Sequence, residues 1–219
     1  MRNISVIIIL IATIIFINYN FLFNDQKVRE VVTIGNIEYS NQKILYDKLN
    51  QLIGQEIYKI NLRNLKKNLE NDSWIKYAQI SIQKPDILDI EIIEFQPVYI
   101  WNNDVYIDQE GEIIISKKMP IQDILKLSSN ISDHKETYQI FIKIQTILSL
   151  INLNVLQVER DLDLLKIHTN KYNFLVSFGI FERKLKEFVT IYDQFSSKSK
   201  NLRDIKNIDL RYPTGFAVE

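Results

Sequence analysis

His134 and His168 are the side chains best suited to acid–base or metal chemistry, and their spacing supports neither. A helix-borne metal pair needs histidines three or four positions apart, and a zinc site usually adds cysteine, of which the chain has none. The same lack of cysteine removes thiol catalysis and a disulfide framework. The bland reading is a surface His134 and a strand-edge His168. Carboxylate pairs such as Asp161/Asp163 and Glu91/Glu94 could serve a glycosidase only if two converged in a cleft. Here they alternate with apolar residues and read as the wet face of a sheet. The five glycines, Gly35, Gly54, Gly111, Gly179 and Gly215, are too far apart for a dinucleotide or P-loop fingerprint. No GxSxG nucleophile elbow occurs. The sequence therefore predicts no catalytic residue, no metal and no cofactor.

Charge narrows the partners. The 27 Lys+Arg balance the 27 Asp+Glu, and no block of like charge exceeds a short pair such as Lys66-Lys67. Nucleic acid is bound by a clustered cation surplus, so it is not an expected partner. Neither is a small-molecule substrate.

From Ile4 to Phe23 the chain carries no charge across 20 residues. A helix of that length spans roughly 30 Å, the thickness of a bilayer core. Tyr19, Phe21 and Phe23 are suited to the interface. A cleaved signal peptide would want a small-x-small site, which nothing from Asn18 to Val31 offers. An uncleaved anchor over residues 4–23 is expected, preceded by a short tail, residues 1–3. Arg2 on one side and Lys27 and Arg29 on the other leave its orientation open.

The elements after the anchor fall into two groups. VREVVTI from Val28 reads as a strand ending at the turn dipeptide Gly35-Asn36. Ser40 is the expected N-cap of a helix with Leu45, Leu49 and Leu52 on one face, closed by Gly54. Asn61 is expected to cap a second helix carrying Leu62, Leu65 and Leu69. Trp74 then seals the helix pair against a sheet. Ala78, Ile80 and Ile82, and after Lys84-Pro85-Asp86 Leu88, Ile90 and Ile92, alternate with polar residues and predict a hairpin. The result is a β-α-α-β-β module over residues 28–95.

Residues 96–219 predict a mainly antiparallel β domain with two helices. Strands are expected at Val98–Trp101, Val105–Asp108, Ile113–Ile115, Val155–Val158, Leu162–Thr169, Phe174–Phe178 and Ile205–Leu210. Lys117–Asp133 reads as loop. Ile140, Ile144, Ile147 and Leu148 mark one helix, and Phe181, Leu185, Phe188 and Tyr192 another. The fold class is α+β, with an open edge strand at the C-terminus.

Three stretches together resemble the FtsQ/DivIB family: the first module with Trp74–Val98 (WIKYAQISIQKPDILDIEIIEFQPV), the hairpin IWNNDVYIDQEGEII, and the closing IDLRYPTGFAV. The first looks like that family's POTRA domain. The order of anchor, single POTRA module, WNxxVYxDxxG hairpin and terminal DLRYPxGFAV is more specific than POTRA alone. The resemblance implies a single-pass protein of the bacterial inner membrane at the division septum, with a cytoplasmic N-terminus and its bulk in the periplasm. It would be a non-enzymatic divisome scaffold that recruits and holds FtsB and FtsL, with other divisome membrane proteins as further partners, upstream of septal peptidoglycan synthesis.

The implied mechanism is strand addition to an open sheet edge. By resemblance Arg211, Tyr212, Thr214 and Gly215 contact the partner, joined by Arg160. The residue types point the same way, because Arg and Tyr are favoured at interface hot spots and Phe216 follows closely. Alternatively, Tyr212 and Phe216 seal the end of the β domain. The family usually has a longer cytoplasmic tail and often a Trp soon after the AV dipeptide, so cytoplasmic contacts and part of the edge are expected to be missing. Two other readings remain: a POTRA-bearing factor for protein transport or envelope assembly, and an anchored cell-wall hydrolase.

Overall fold

A computed structural model of the protein describes residues 9–15, 27–83, 85–114, 121, 123–199 and 205–219. Residues 9–15 are helical, with Ile9, Leu10, Ile11, Ile14 and Ile15 exposed. The rest of the expected anchor, and the tail before it, lie outside the described residues. Among the described residues no helix is long and apolar enough to cross a membrane. The remaining chain forms two units that divide between Phe95 and Gln96.

In the first unit, strands β1 (Glu30–Ile34), β2 (Ile75–Gln83) and β3 (Ile87–Glu94) form a sheet in the order β1-β3-β2. β3 pairs antiparallel with β2 across the expected hairpin, whose Lys84 lies outside the described residues, and parallel with β1. Helices α1 (Gln42–Asn50) and α2 (Leu62–Glu70) lie between β1 and β2 in the chain. Leu45, Leu49 and Leu69 bury against Ile75, Ala78, Ile90 and Ile92, so the sequence periodicities meet in one core. Asn61 caps α2 as expected, its Oδ1 accepting from Asn64 N at 3.0 Å. Asn41 rather than Ser40 caps α1, accepting from Ile44 N at 3.1 Å. Gly54 does not close α1, which ends at Asn50; it sits three residues past the Gln51 C-cap, with φ +84, and donates to Val28 O at 2.8 Å.

Ser40 and its neighbours serve another purpose. The backbone N–H groups of Glu38, Tyr39 and Ser40 all donate to the carboxylate of Glu94, at 2.7, 2.9 and 2.7 Å. Glu94 is 4% exposed, so it does not lie on the wet face as expected. It shares the core face with Ile90 and Ile92, since i, i+2 and i+4 of a strand point one way. Its charge is tolerated there because three donors converge on it. Trp74 is buried as expected, and it stacks on Tyr39 at 5.1 Å.

The second unit is a nine-stranded sheet with two helices. Its strands are β4 (Pro97–Trp101), β5 (Val105–Asp108), β6 (Ile113–Ile114), β7 (Leu125–Ser129), β8 (Val155–Asp161), β9 (Leu164–Thr169), β10 (Asn173–Ser177), β11 (Asn207–Asp209) and β12 (Ala217–Val218). Their order is β12-β11-β10-β9-β8-β7-β4-β5-β6. Most pairings are antiparallel; β4–β7, β7–β8 and β10–β11 are parallel. Helices α3 (His134–Leu148) and α4 (Phe181–Ser199) share one core with the sheet, through Ile140, Ile144, Leu148, Leu185 and Phe188.

β7 corrects the expected loop from Lys117 to Asp133. Only Leu125 and Leu127 alternate with polar residues there, too short a pattern to stand out, yet Leu127 is 1% exposed in mid-sheet. Residues 115–120 and 122 lie outside the description. The β4–β5 turn runs through Asn102 and Asn103 with φ 51 and 57, the mirror-image geometry that tight hairpins favour.

Candidate functional site

His134 is half-buried, its Nδ1 3.0 Å from the Tyr99 hydroxyl, and burial pushes the Tyr99 phenol up to about 12. His168 is not at a sheet edge: β9 is flanked by β8 and β10, and its Nδ1 lies 2.9 Å from Asn173 Oδ1. Asp161 accepts from Asn130 Nδ2 at 2.7 Å. One acidic cluster was not foreseen. Asp108, Glu110 and Glu112 bring their carboxylates within 4.8 Å of one another. Asp108 Oδ1 there accepts from the Glu110 and Glu112 N–H groups, at 2.9 and 2.8 Å, and so closes the β5–β6 turn.

The C-terminal stretch is built differently. β11 joins β10 in parallel, and Leu210 N donates to Leu175 O at 2.8 Å. The chain then turns through five exposed residues, Arg211 to Gly215, with Gly215 at φ +70. It returns as β12, which pairs antiparallel with β11 through Ile208↔Val218 and Asp209↔Ala217. The expected edge strand, Ile205–Leu210, is thus one strand in from the edge among the described residues, and the outer strand is β12. No sequence signal announced it, because Ala217-Val218 is too short to show a period.

Three contacts fix the turn. Arg211 forms a bidentate pair with Asp209, Nε to Oδ1 at 3.0 Å and Nη2 to Oδ2 at 2.6 Å. The guanidinium holds the Asp209 carboxyl below the usual carboxylate range. Phe216 inserts between α4 rings, its centroid 5.5 Å from Phe188 and 5.6 Å from Phe195. Lys184 Nζ donates to Pro213 O at 3.1 Å. Tyr212 is left 51% exposed, so it does not seal the domain, whereas Phe216 does.

The ladder pattern states which backbone groups are free to bond outward. Asn207 and Glu219 exchange both hydrogen bonds, each 3.0 Å. In an antiparallel pair such residues alternate with pairs whose N–H and C=O groups point away from each other. Ile208↔Val218 is the next pair, so the N–H and C=O of Val218 turn away from β11. A concavity of about 340 Å³ lies over the open face of the sheet from β9 to β12, lined by Lys166, Leu175, Asp209, Arg211, Tyr212 and Ala217. A second, of about 310 Å³, lies on the helix side between α4 and the end of the turn, lined by Lys184, Phe188, Ile191, Gly215 and Phe216.

Arg160 stands apart from these residues. It pairs with Leu165 on β9, which pairs with Val176 on β10, and β11 and β12 lie beyond, so it is about four strand spacings, roughly 19 Å, from the edge. Its side chain is 11% exposed, bonded through Nη1 to Glu136 at 2.6 Å and stacked over the Phe178 ring at 3.8 Å. The structure therefore brings Arg211, Tyr212, Thr214, Gly215 and Phe216 together and leaves Arg160 among the residues beside α3. Lys184 was missed, since a lysine in an amphipathic helix reads as a solvated one.

Residues 26–95 match the family model described as POTRA domain, FtsQ-type. The chain is 26% identical over 198 residues to the cell division protein FtsQ of Cellvibrio japonicus, an alignment covering 89% of this chain and 61% of that protein. It is 22% identical to the FtsQ of Hahella chejuensis, over 89% of this chain and 70% of that one. It is 32% identical to the FtsQ of Rickettsia bellii, over 45% of this chain and 38% of that one. The chain thus spans about three fifths of the length of the Cellvibrio japonicus relative.

Proposed function

We propose that this chain, which belongs to the FtsQ family of cell division proteins, is a non-enzymatic, membrane-anchored scaffold that captures FtsB and FtsL at the division septum by accepting a strand on β12. The observation that carries this reading is the outward-turned backbone of Val218 beside the exposed Tyr212. A strand laid there gains main-chain hydrogen bonds, and its alternate side chains fall on the two faces of the sheet, one the open face and the other the face covered by α4. Tyr212, held on a fixed turn at the rim, is the aromatic anchor expected of a hot spot. Arg211 orients that turn through Asp209, Thr214 and Gly215 shape it, and Phe216 fastens it to α4. Arg160 acts from further along the same end of the sheet, where it steadies Glu136 and Phe178.

The anchor over residues 4–23 places the N-terminus in the cytoplasm and the two folded units in the periplasm, as the family resemblance implies. Of the carboxylates a hydrolase would draw on, Glu94 is taken up by the Glu38, Tyr39 and Ser40 N–H groups and Asp161 accepts from the Asn130 side chain. The test is co-purification from detergent-solubilised envelopes, with FtsB and FtsL followed by immunodetection. Tyr212→Ala should cost about 2 kcal/mol, roughly a thirtyfold loss of affinity. Full recovery of both partners by a folded Tyr212→Ala variant would remove this tyrosine from the site.

A further inference from the structure

Lys184 is 1% exposed, the deepest cation among the described residues, and its ammonium bonds the backbone of the one loop that carries Tyr212. It lies in the first turn of α4, where a lysine would ordinarily reach for solvent. Instead its Nζ lies between Pro213 O, at 3.1 Å, and Glu187 Oε2, at 3.2 Å. Glu187 is itself held by Arg183 at 2.6 Å. Burying an ammonium costs free energy unless it is paired and hydrogen-bonded. Here the ammonium meets a carboxylate on its own helix and a carbonyl between Tyr212 and Thr214.

The loop from Arg211 to Gly215 needs such a tie. All five residues are exposed, and Gly215 has φ +70, so local sterics alone do not hold one shape. Arg211 is fixed at one end by Asp209 and Phe216 at the other by Phe188 and Phe195. Between these ends, Lys184 is what grips the backbone, one residue after Tyr212. A side chain that stiffens a binding loop in its bound shape raises affinity by lowering the entropy lost on association.

We propose that Lys184 is a positioning residue for partner capture: it clamps the Pro213 carbonyl from α4 and so presents Tyr212 at the β12 edge in its binding orientation. The proposal rests on the strand-addition reading, and its test separates the two. Lys184→Met keeps the length of the apolar stem and removes the donor. Pro213 is exposed, so its carbonyl can turn to water and the core need not rearrange.

In the full-length chain in detergent, backbone amide exchange across residues 211–216 should quicken by about tenfold. Exchange in β10 and in the buried turns of α4 should be unchanged. Affinity for the purified FtsB–FtsL pair should fall by about tenfold in the same variant. Because Lys184 acts through Tyr212, Lys184→Met should add little to the loss already caused by Tyr212→Ala. A general structural role would instead give additive losses and faster exchange throughout α4.

Unchanged loop exchange in Lys184→Met would overturn the clamp. Faster loop exchange with undiminished affinity would overturn its part in capture. If the wild type fails to bind the pair while loop exchange still quickens in the variant, the strand-addition reading falls and takes the capture role with it, and the clamp itself stands. Lys184→Arg, which keeps a donor, should recover part of both readouts; recovery of neither would show that the volume of this site, and not its hydrogen bond, sets the loop.

Discussion

Val218→Pro is expected to abolish partner capture while leaving the β domain folded. Proline has no N–H, and Val218's N–H points away from β11, so the substitution takes nothing from the existing ladder. Asn207 and Glu219, which exchange the bonds that do hold β12, are untouched. Ala217, the residue before the new proline, is already extended in β12, the conformation a following proline requires. An added strand would meet a ring where it needs a donor, and one of its carbonyls would lie unpaired. Such a loss is worth ~3 kcal/mol, on the order of a hundredfold in affinity. The check is binding of the FtsB–FtsL pair to the folded variant, with near-UV circular dichroism confirming the core around Phe174 and Phe188. A partner that docks by side chains alone would be nearly indifferent to this change.

Gly35→Ala is expected to unfold the first unit. Gly35 follows β1 at φ +130, a region closed to residues with a Cβ, and an ideal Cβ there would lie 2.1 Å from Ile92 O. Neither the glycine nor the carbonyl can withdraw, because β1 and β3 are locked by five paired positions from Glu30↔Ile87 to Ile34↔Glu91. Strain plus displacement of a central strand should exceed ~5 kcal/mol, comparable with the whole stability of a small domain. Gly54 offers the contrast: its φ is +84, but an added Cβ would meet nothing within 4 Å. Gly54→Ala should therefore cost only about 1 kcal/mol, the strain of the conformation alone. Thermal unfolding followed by hydrogen exchange in β1 would separate the two. A cooperative, near-wild-type transition in Gly35→Ala would mean that the β1–β3 junction is looser than its geometry.

The first unit was legible because its signals are local and redundant. Leucines at helical spacing, alternating isoleucines and the Asn61 cap each specify one element, and together they leave little freedom in assembling them. What escaped there was tertiary: Glu94 looked like a solvent-facing strand residue because a period-two reading does not know that a loop will bring three donors to it. In the second unit β7 and β12 escaped because strands of a few residues carry no period, and one of them is held by parallel pairing at a distance in the chain. The candidate site was legible as a stretch, Arg211 to Phe216, and not as a geometry. Its outer strand, the direction of the Val218 backbone and the grip of Lys184 all depend on the chain turning back on itself after Leu210. Arg160 shows the converse, a residue proposed for the site whose visible contacts, Glu136 and Phe178, are with the helix-covered side.

The most direct test of strand addition is residue-resolved amide exchange of β12 with and without the FtsB–FtsL pair. The Val218 N–H should become strongly protected on binding. The Glu219 N–H, already bonded to Asn207 O at 3.0 Å, should change little. That alternation is the signature of a new strand on this edge. Binding of the pair with no gain of protection at Val218 would contradict the account, whatever contacts Tyr212 then proved to make.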